Sequence, residues 1–154
     1  FQMARDTVLD IFGGNNLHPF CSREDFQKCK EQFPEIIQRI ADLLALLKAY
    51  NLHFGYRVIH EVCRFLLLAK EHLDHFDPDA LLDIQILQKI LPKFHGTQAR
   101  LEEPLTKLLA YTAGTENQIG SDYPPEESRF PQSAAKITSM LRTLQSQGYT
   151  DFIE

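Results

Sequence analysis

The chain has 154 residues, of which 44% are hydrophobic and 24% charged. That profile excludes a disordered chain and supplies a core without metal or disulfide support. Its net charge of −5 excludes a surface that attracts nucleic acid or anionic membrane as a whole, while leaving room for a local basic patch. Three cysteines, Cys21, Cys29 and Cys63, with no CxxC pair point to thiols in a reducing, cytoplasmic compartment. No apolar run approaches the ~20 residues of a membrane span, and no signal peptide is visible. The chain begins at Phe1 rather than at a methionine, so a piece of a longer protein is expected.

Along the chain the apolar spacing is helical nearly throughout. "RDTVLDIFGGNN" reads as a short helix or strand ended by Gly13 and Gly14. "CSREDFQKC" offers Ser22 as an N-cap with Asp25 three residues on, a relative of the capping box. "FPEIIQRIADLLALLKAYN" sets Ile36, Ile37, Ile40, Leu43, Leu44 and Leu47 on one face, with Pro34 in the first turn and Asn51 at the exit. The next helix is expected from Gly55 to Leu73, with Val58, Val62, Phe65, Leu66 and Ala69 inward.

"FDPDALLDIQILQKILPKFHG" follows as a single well-buried helix, capped by Asp77 with Pro78 at its first position and stopped by Pro92 and Gly96. "TQARLEEPLTKLLAYTA" carries Leu101, Leu105, Leu108 and Leu109, and Pro104 either starts or kinks it. Residues 114–131, polar and rich in Pro, Gly and Ser, form a long loop. The last helix turns Ala134, Ile137, Met140, Leu141 and Leu144 to one side and ends at Gly148, and "YTDFIE" alternates enough to be either a short C-terminal strand or a plain tail. The expected fold class is all-α: a helical bundle of about five helices.

No phosphate loop, glycine-rich dinucleotide fingerprint, GxSxG elbow or HExxH pair is present. The chain by itself therefore does not read as an enzyme. His60 with Cys63 and His72 with His75 could each share a helix face. The other candidate ligands, His18, Cys21, Cys29, His53 and His95, are scattered, and no tetrahedral zinc set emerges. Cys63 lies among Val62, Phe65 and Leu66, where a small hydrophobe is the simpler reading than a nucleophile. Arg57 sits three residues before His60, short of the spacing in RNA-cleaving helical dimers. On composition alone, Arg57 is a surface arginine laying its stem over Tyr56 or Phe54.

Three stretches in order, "FGYRVIHEVCRFLL", "ALLDIQILQKILPKFHGTQARLEEPLTKLL" and "FPQSAAKITSMLRTLQSQGYTDFIE", resemble the C-terminal part of McrB-type AAA+ ATPases, nucleotide-hydrolysing motors of DNA restriction and bacterial defence. The resemblance implies that residues 33–154 are an AAA+ helical lid. Residues 1–32 would be an N-terminal extension or the tail of the preceding subdomain. It implies that Arg57 is the sensor-2 arginine facing the nucleotide phosphates, where a planar guanidinium would sense the γ-phosphate. Gly55 would allow close backbone approach and Tyr56 would pack at the joint. It further implies ATP or GTP with Mg2+ as cofactor of the longer chain, bound mainly by an upstream AAA+ core subdomain. Neighbouring subunits of a ring, a nuclease subunit and, indirectly, DNA would be its partners. Leu46, Leu67 and Leu68 would supply the apolar contacts between subunits.

Two other readings stand beside this one. A stand-alone helical protein-interaction module needs no nucleotide site. A nucleic-acid contact would use Lys89, Lys93, His95 and Arg100, four groups within twelve residues. Cations complementing a helix C-terminus explain that cluster more simply. Lys89, Lys93 and Arg100 remain the candidate phosphate or interface contacts.

Overall fold

A computed structural model describes residues 23–117 and 119–153. Among these the chain is all-α with a two-stranded ribbon. The helices are α1 (Arg23–Gln32), α2 (Pro34–Lys48), α3 (Tyr56–His72), α4 (Pro78–Gln85), α5 (Gln98–Ala113) and α6 (Pro131–Gln147). Six helices stand where about five were expected, because residues 23–32 are themselves a full helix. The expected cap Ser22 and the "RDTVLDIFGGNN" segment lie outside the described residues. Contacts divide the chain into two units, the first closing at Leu82 and the second opening at Asp83, inside α4.

In the first unit α1 packs on both α2 and α3, burying Phe26 and Cys29. All six apolar residues expected on the inner face of α2 are buried, with Pro34 in its first turn. Asn51 takes a positive φ of 57° just past the helix, a conformation asparagine tolerates better than most residues, and Leu52 N–H donates to Leu47 O at 3.0 Å. Asp77 caps α4 through Oδ1, which accepts from Asp79 N–H at 3.1 Å, and Asp79 in turn pairs with Arg39 of α2. The inner face of α3 is Ile59, Val62, Cys63 and Leu66. The expected set was rotated toward Val58, Phe65 and Ala69, which are only half-buried. The i, i+3, i+4, i+7 row starting at Ile59 is the more continuous apolar ridge, and it faces inward.

In the second unit, α4 does not run on to Pro92 as expected. It gives way to a π-helical turn (Ile86–Ile90) and a 3-10 turn (Leu91–Lys93). Pro92 has no N–H to continue the ladder and its ring crowds the carbonyl four residues back. The chain answers by widening, with Leu91 N–H bonded to Ile86 O. Gly96–Thr97 (β1) then pairs antiparallel with Tyr149–Thr150 (β2). Of the strand and the tail that "YTDFIE" allows, Tyr149–Thr150 takes the strand, and its partner has no sign in the sequence, where Gly96 reads only as a helix stop.

The α5–α6 pair is clasped at both ends. Gln98 N–H, at the start of α5, donates to Gly148 O just past α6 at 2.9 Å, while Phe130 N–H, before α6, donates to Thr112 O near the end of α5 at 3.0 Å. The two helices are therefore antiparallel. Leu101, Leu105, Leu108 and Leu109 from α5 meet the same core as Ala134, Ile137, Met140, Leu141 and Leu144 from α6, all fully or nearly fully buried. Each large side chain contributes about 1.5–3 kcal/mol by leaving water. α5 stays helical through Pro104.

The loop of residues 114–130 is fastened rather than loose. Arg142 Nη2 donates to Ser121 O at 2.9 Å, and Ser121 Oγ donates to Gln145 Oε1 at 3.2 Å. A 3-10 turn, Pro125–Glu127, packs on α6.

The start of α6 poses a satisfaction problem. Its cap position is Phe130, with no side-chain cap, and Pro131 follows. The first available amides are those of Gln132 and Ser133. Asp83, only 2% exposed, takes both: Gln132 N–H donates to Oδ2 at 2.9 Å and Ser133 N–H to Oδ1 at 2.8 Å. Ser133 Oγ also donates to the Asp83 carbonyl at 3.0 Å. A buried carboxylate thus meets the positive end of a helix, the setting in which its charge is best compensated.

Asp83→Ala is expected to lower unfolding free energy by about 2–4 kcal/mol, read by urea denaturation. Asp83→Asn, which keeps only one acceptor oxygen, should fall between the parent and the alanine variant. A loss under about 0.5 kcal/mol on Asp83→Ala would show that water replaces the cap. Gly114 has φ +82°, and a Cβ there would lie 3.0 Å from Arg129 Nη2. Gly114→Ala is therefore expected to cost about 1–2 kcal/mol. Gly148→Ala, also at positive φ but in open space, should cost less.

Candidate functional site

The first candidate region is the start of α3. Gly55 is its N-cap, extended at φ −84° and ψ 176°, and offers no side-chain cap. A Cβ at Gly55 would meet nothing within 4 Å, so packing within the described residues does not require glycine there. Tyr56 sets its ring edge-on to His60 one turn later, with centroids 5.8 Å apart.

Arg57 is exposed and makes no hydrogen bond or ion pair among the described residues. The first turn of α3 holds no acidic residue, so Arg57 places a cation beside the positive end of the helix dipole, where local electrostatics disfavour it. Its place at this end of the helix therefore gains nothing from the dipole of α3.

The second region is the cationic segment. Lys89 lies on the π-helical turn, Lys93 on the 3-10 turn, His95 before β1 and Arg100 in the first turn of α5. All four are exposed. The Arg100 stem lies by Gly96, with Cδ 3.8 Å from where a Cβ would stand. These cations are spread over three differently shaped turns rather than aligned on one helix face.

A third region carried no motif in the sequence. The outward face of α5 borders an open groove of about 580 Å3. Ala99, Thr106 and Ala110 line its length, with Glu102, Glu103 and Lys107 beside them, and Glu116 and Asn117 form the wall beyond the helix. Thr106 Oγ1 donates to Glu102 O at 2.7 Å, so its hydroxyl is satisfied within the helix. Gln98 Nε2 donates to Glu102 Oε2 at 3.2 Å.

The wall is placed by the way α5 ends. Gly114 N–H bonds back to Ala110 O and Tyr111 O, and Thr115 N–H to Ala110 O at 3.1 Å. Asn117 N–H then donates to Thr115 Oγ1 at 3.1 Å. The only advance sign of this groove was the two alanines and a threonine on the polar side of an otherwise leucine-rich helix.

Among the described residues no group of three or more His, Cys, Asp or Glu side chains is arranged to hold a metal ion. Cys29 and Cys63 are buried thiols, His60 is half-buried against Tyr56, and His72 and His75 are exposed. His18 and Cys21 lie outside the described residues. No described helix is long and apolar enough to cross a membrane. Of the leucines expected to make contacts outside the chain, Leu68 is 46% exposed, whereas Leu46 and Leu67 are half-buried. Leu73 is 48% exposed.

The described residues thus make an all-α protein with an open groove along α5 and no assembled set of metal ligands. The chain matches the family described as "Domain of unknown function (DUF8727)" over residues 14–149, and it belongs to that family. No curated protein and no solved structure matches it.

Because Arg57 opposes the helix dipole, Arg57→Ala should leave thermal stability unchanged or raise it, by up to about 0.5 kcal/mol. Gly55→Ser, which adds a capping hydroxyl, should raise it by a few tenths of a kcal/mol. A drop of more than about 1 kcal/mol in either variant would mean that these residues serve the fold.

Proposed function

We propose that this chain is a helical protein-interaction module. The observation that carries the reading is the α5 groove: its helix has already saturated its apolar face inside, yet its outer face is walled by a fastened turn. Bound small molecules are usually enclosed in concave, mostly apolar pockets. An open groove along more than two helical turns suits another polypeptide better. Leu68 and Leu73 at the end of α3 are secondary support, since single exposed leucines are common.

The test is site-specific photo-crosslinking in cells from Thr106, against the exposed Ser139 of α6 as control. A discrete protein adduct from Thr106 and none from Ser139 is the expected result. Identical adduct patterns from both positions, or none from either, would remove the reading.

A competing proposal is the lid of a McrB-like nucleotide motor, in which Arg57 senses ATP or GTP held with Mg2+ by an upstream core. What favours it is the exposed, locally disfavoured position of Arg57, which has no partner among the described residues. In that reading Arg57→Ala abolishes hydrolysis by the longer chain while the helices stay folded. In the interaction reading, any hydrolysis in the longer chain is unaffected by the substitution.

A further inference from the structure

The geometry points to a partner of defined chemistry for the α5 groove: a helical segment of another protein that carries lysine or arginine on both sides of a small or flat face. The inference rests on the interaction-module reading and names the occupant of that same groove.

Ala99, Thr106 and Ala110 stand at i, i+7 and i+11 on α5. At 3.6 residues per turn they fall within roughly 40° of arc and extend over about 16 Å. Side chains this short let a second helix approach at the near end of the usual 8–10 Å interaxial range. Glu102 and Glu103 flank the row on opposite sides, and Glu116 stands on the wall, with Lys107 the one cation among the lining residues. Anions on both sides of a low floor call for cations on both flanks of the occupant. The charges also select against alternatives. A nucleic-acid backbone would meet three carboxylates, and a wholly apolar helix would leave them without partners.

The row length matters as much as the charge. About three turns of contact with paired flanking charges suit a helix, whose side chains at i, i+3 and i+4 repeat along one face. An extended peptide would need a row of main-chain partners, and beyond its first turn the helical backbone of α5 offers none on this face because those amides are used within the helix.

The test uses the full chain and two labelled alanine-based helical peptides of about four turns, one with arginine at the two heptad positions that flank an alanine face on either side (e and g) and one with glutamate there. Fluorescence anisotropy should show the arginine peptide binding and the glutamate peptide not. Glu103→Arg combined with Glu116→Arg should weaken binding at least about tenfold. Thr106→Phe, which raises the floor without changing charge, should weaken it as well. Glu71→Arg combined with Asp74→Arg, which reverses the same number of charges at exposed positions that do not line the groove, should leave binding within about twofold.

All variants alter exposed or half-buried side chains, and their circular dichroism spectra should match the parent. No binding of the arginine peptide would overturn the inference. So would an equal loss in the Glu71/Asp74 control, which would mark attraction to overall negative charge. Self-association of the chain blocked by the Glu103/Glu116 variant would assign the groove to a second copy instead. If Thr106 crosslinks a protein in cells while the arginine peptide fails to bind, the module reading survives and only the partner chemistry falls.

Discussion

The second unit hangs on one carboxylate. α6 begins at a Phe-Pro pair that cannot cap itself: phenylalanine has no side-chain acceptor and proline has no N–H donor. The amides of Gln132 and Ser133 are consequently the first that need partners, and both find them on Asp83, far earlier in the chain. A carboxylate as buried as this one is tolerable only where its charge is compensated, and the amides and dipole of a helix N-terminus do that. The arrangement satisfies both parties at once, and neither alternative within the local sequence would.

From that anchor the rest of the unit follows. With the start of α6 fixed, Phe130 can bond to Thr112 and bring the end of α5 alongside. At the opposite end Gln98 bonds to Gly148, and the short ribbon of Gly96–Thr97 with Tyr149–Thr150 closes the pair. Two antiparallel helices tied at both ends cannot slide, so the outward face of α5 is presented as a fixed surface. The ending of α5 at Gly114 then sets Glu116 and Asn117 beside that face. The groove is a by-product of how the helix terminates as much as of which residues line it.

Most helices could be read directly because their signals are local. The inner face of α2, Pro34, the cap at Asp77, the exit at Asn51 and the inner face of α6 all depend on residues a few positions apart. What could not be read depends on distance. Nothing near Asp83 in the chain reveals that its oxygens serve Gln132 and Ser133, and nothing near Gly96 reveals Thr150 across from it. The facing of α3 differs from the expected one by part of a turn because Val58, Ile59, Phe65 and Leu66 offer overlapping apolar rows, and only packing chooses between them. At Arg57 sequence and structure speak to different questions. Its resemblance to a nucleotide sensor comes from neighbouring motifs, whereas its exposure and its lack of a partner among the described residues concern only the side chain itself.

The outward face of α5 can serve as a docking surface only if the clasped pair behaves as one cooperative body. Native-state amide hydrogen exchange tests this directly. The amides of Gln98, Phe130, Gln132 and Ser133 should exchange together, and only by global opening of the unit. Fast exchange of Gln132 and Ser133 while the amides inside α5 and α6 stay protected would contradict it, because the Asp83 anchor would then be fraying independently of the helices it is meant to hold.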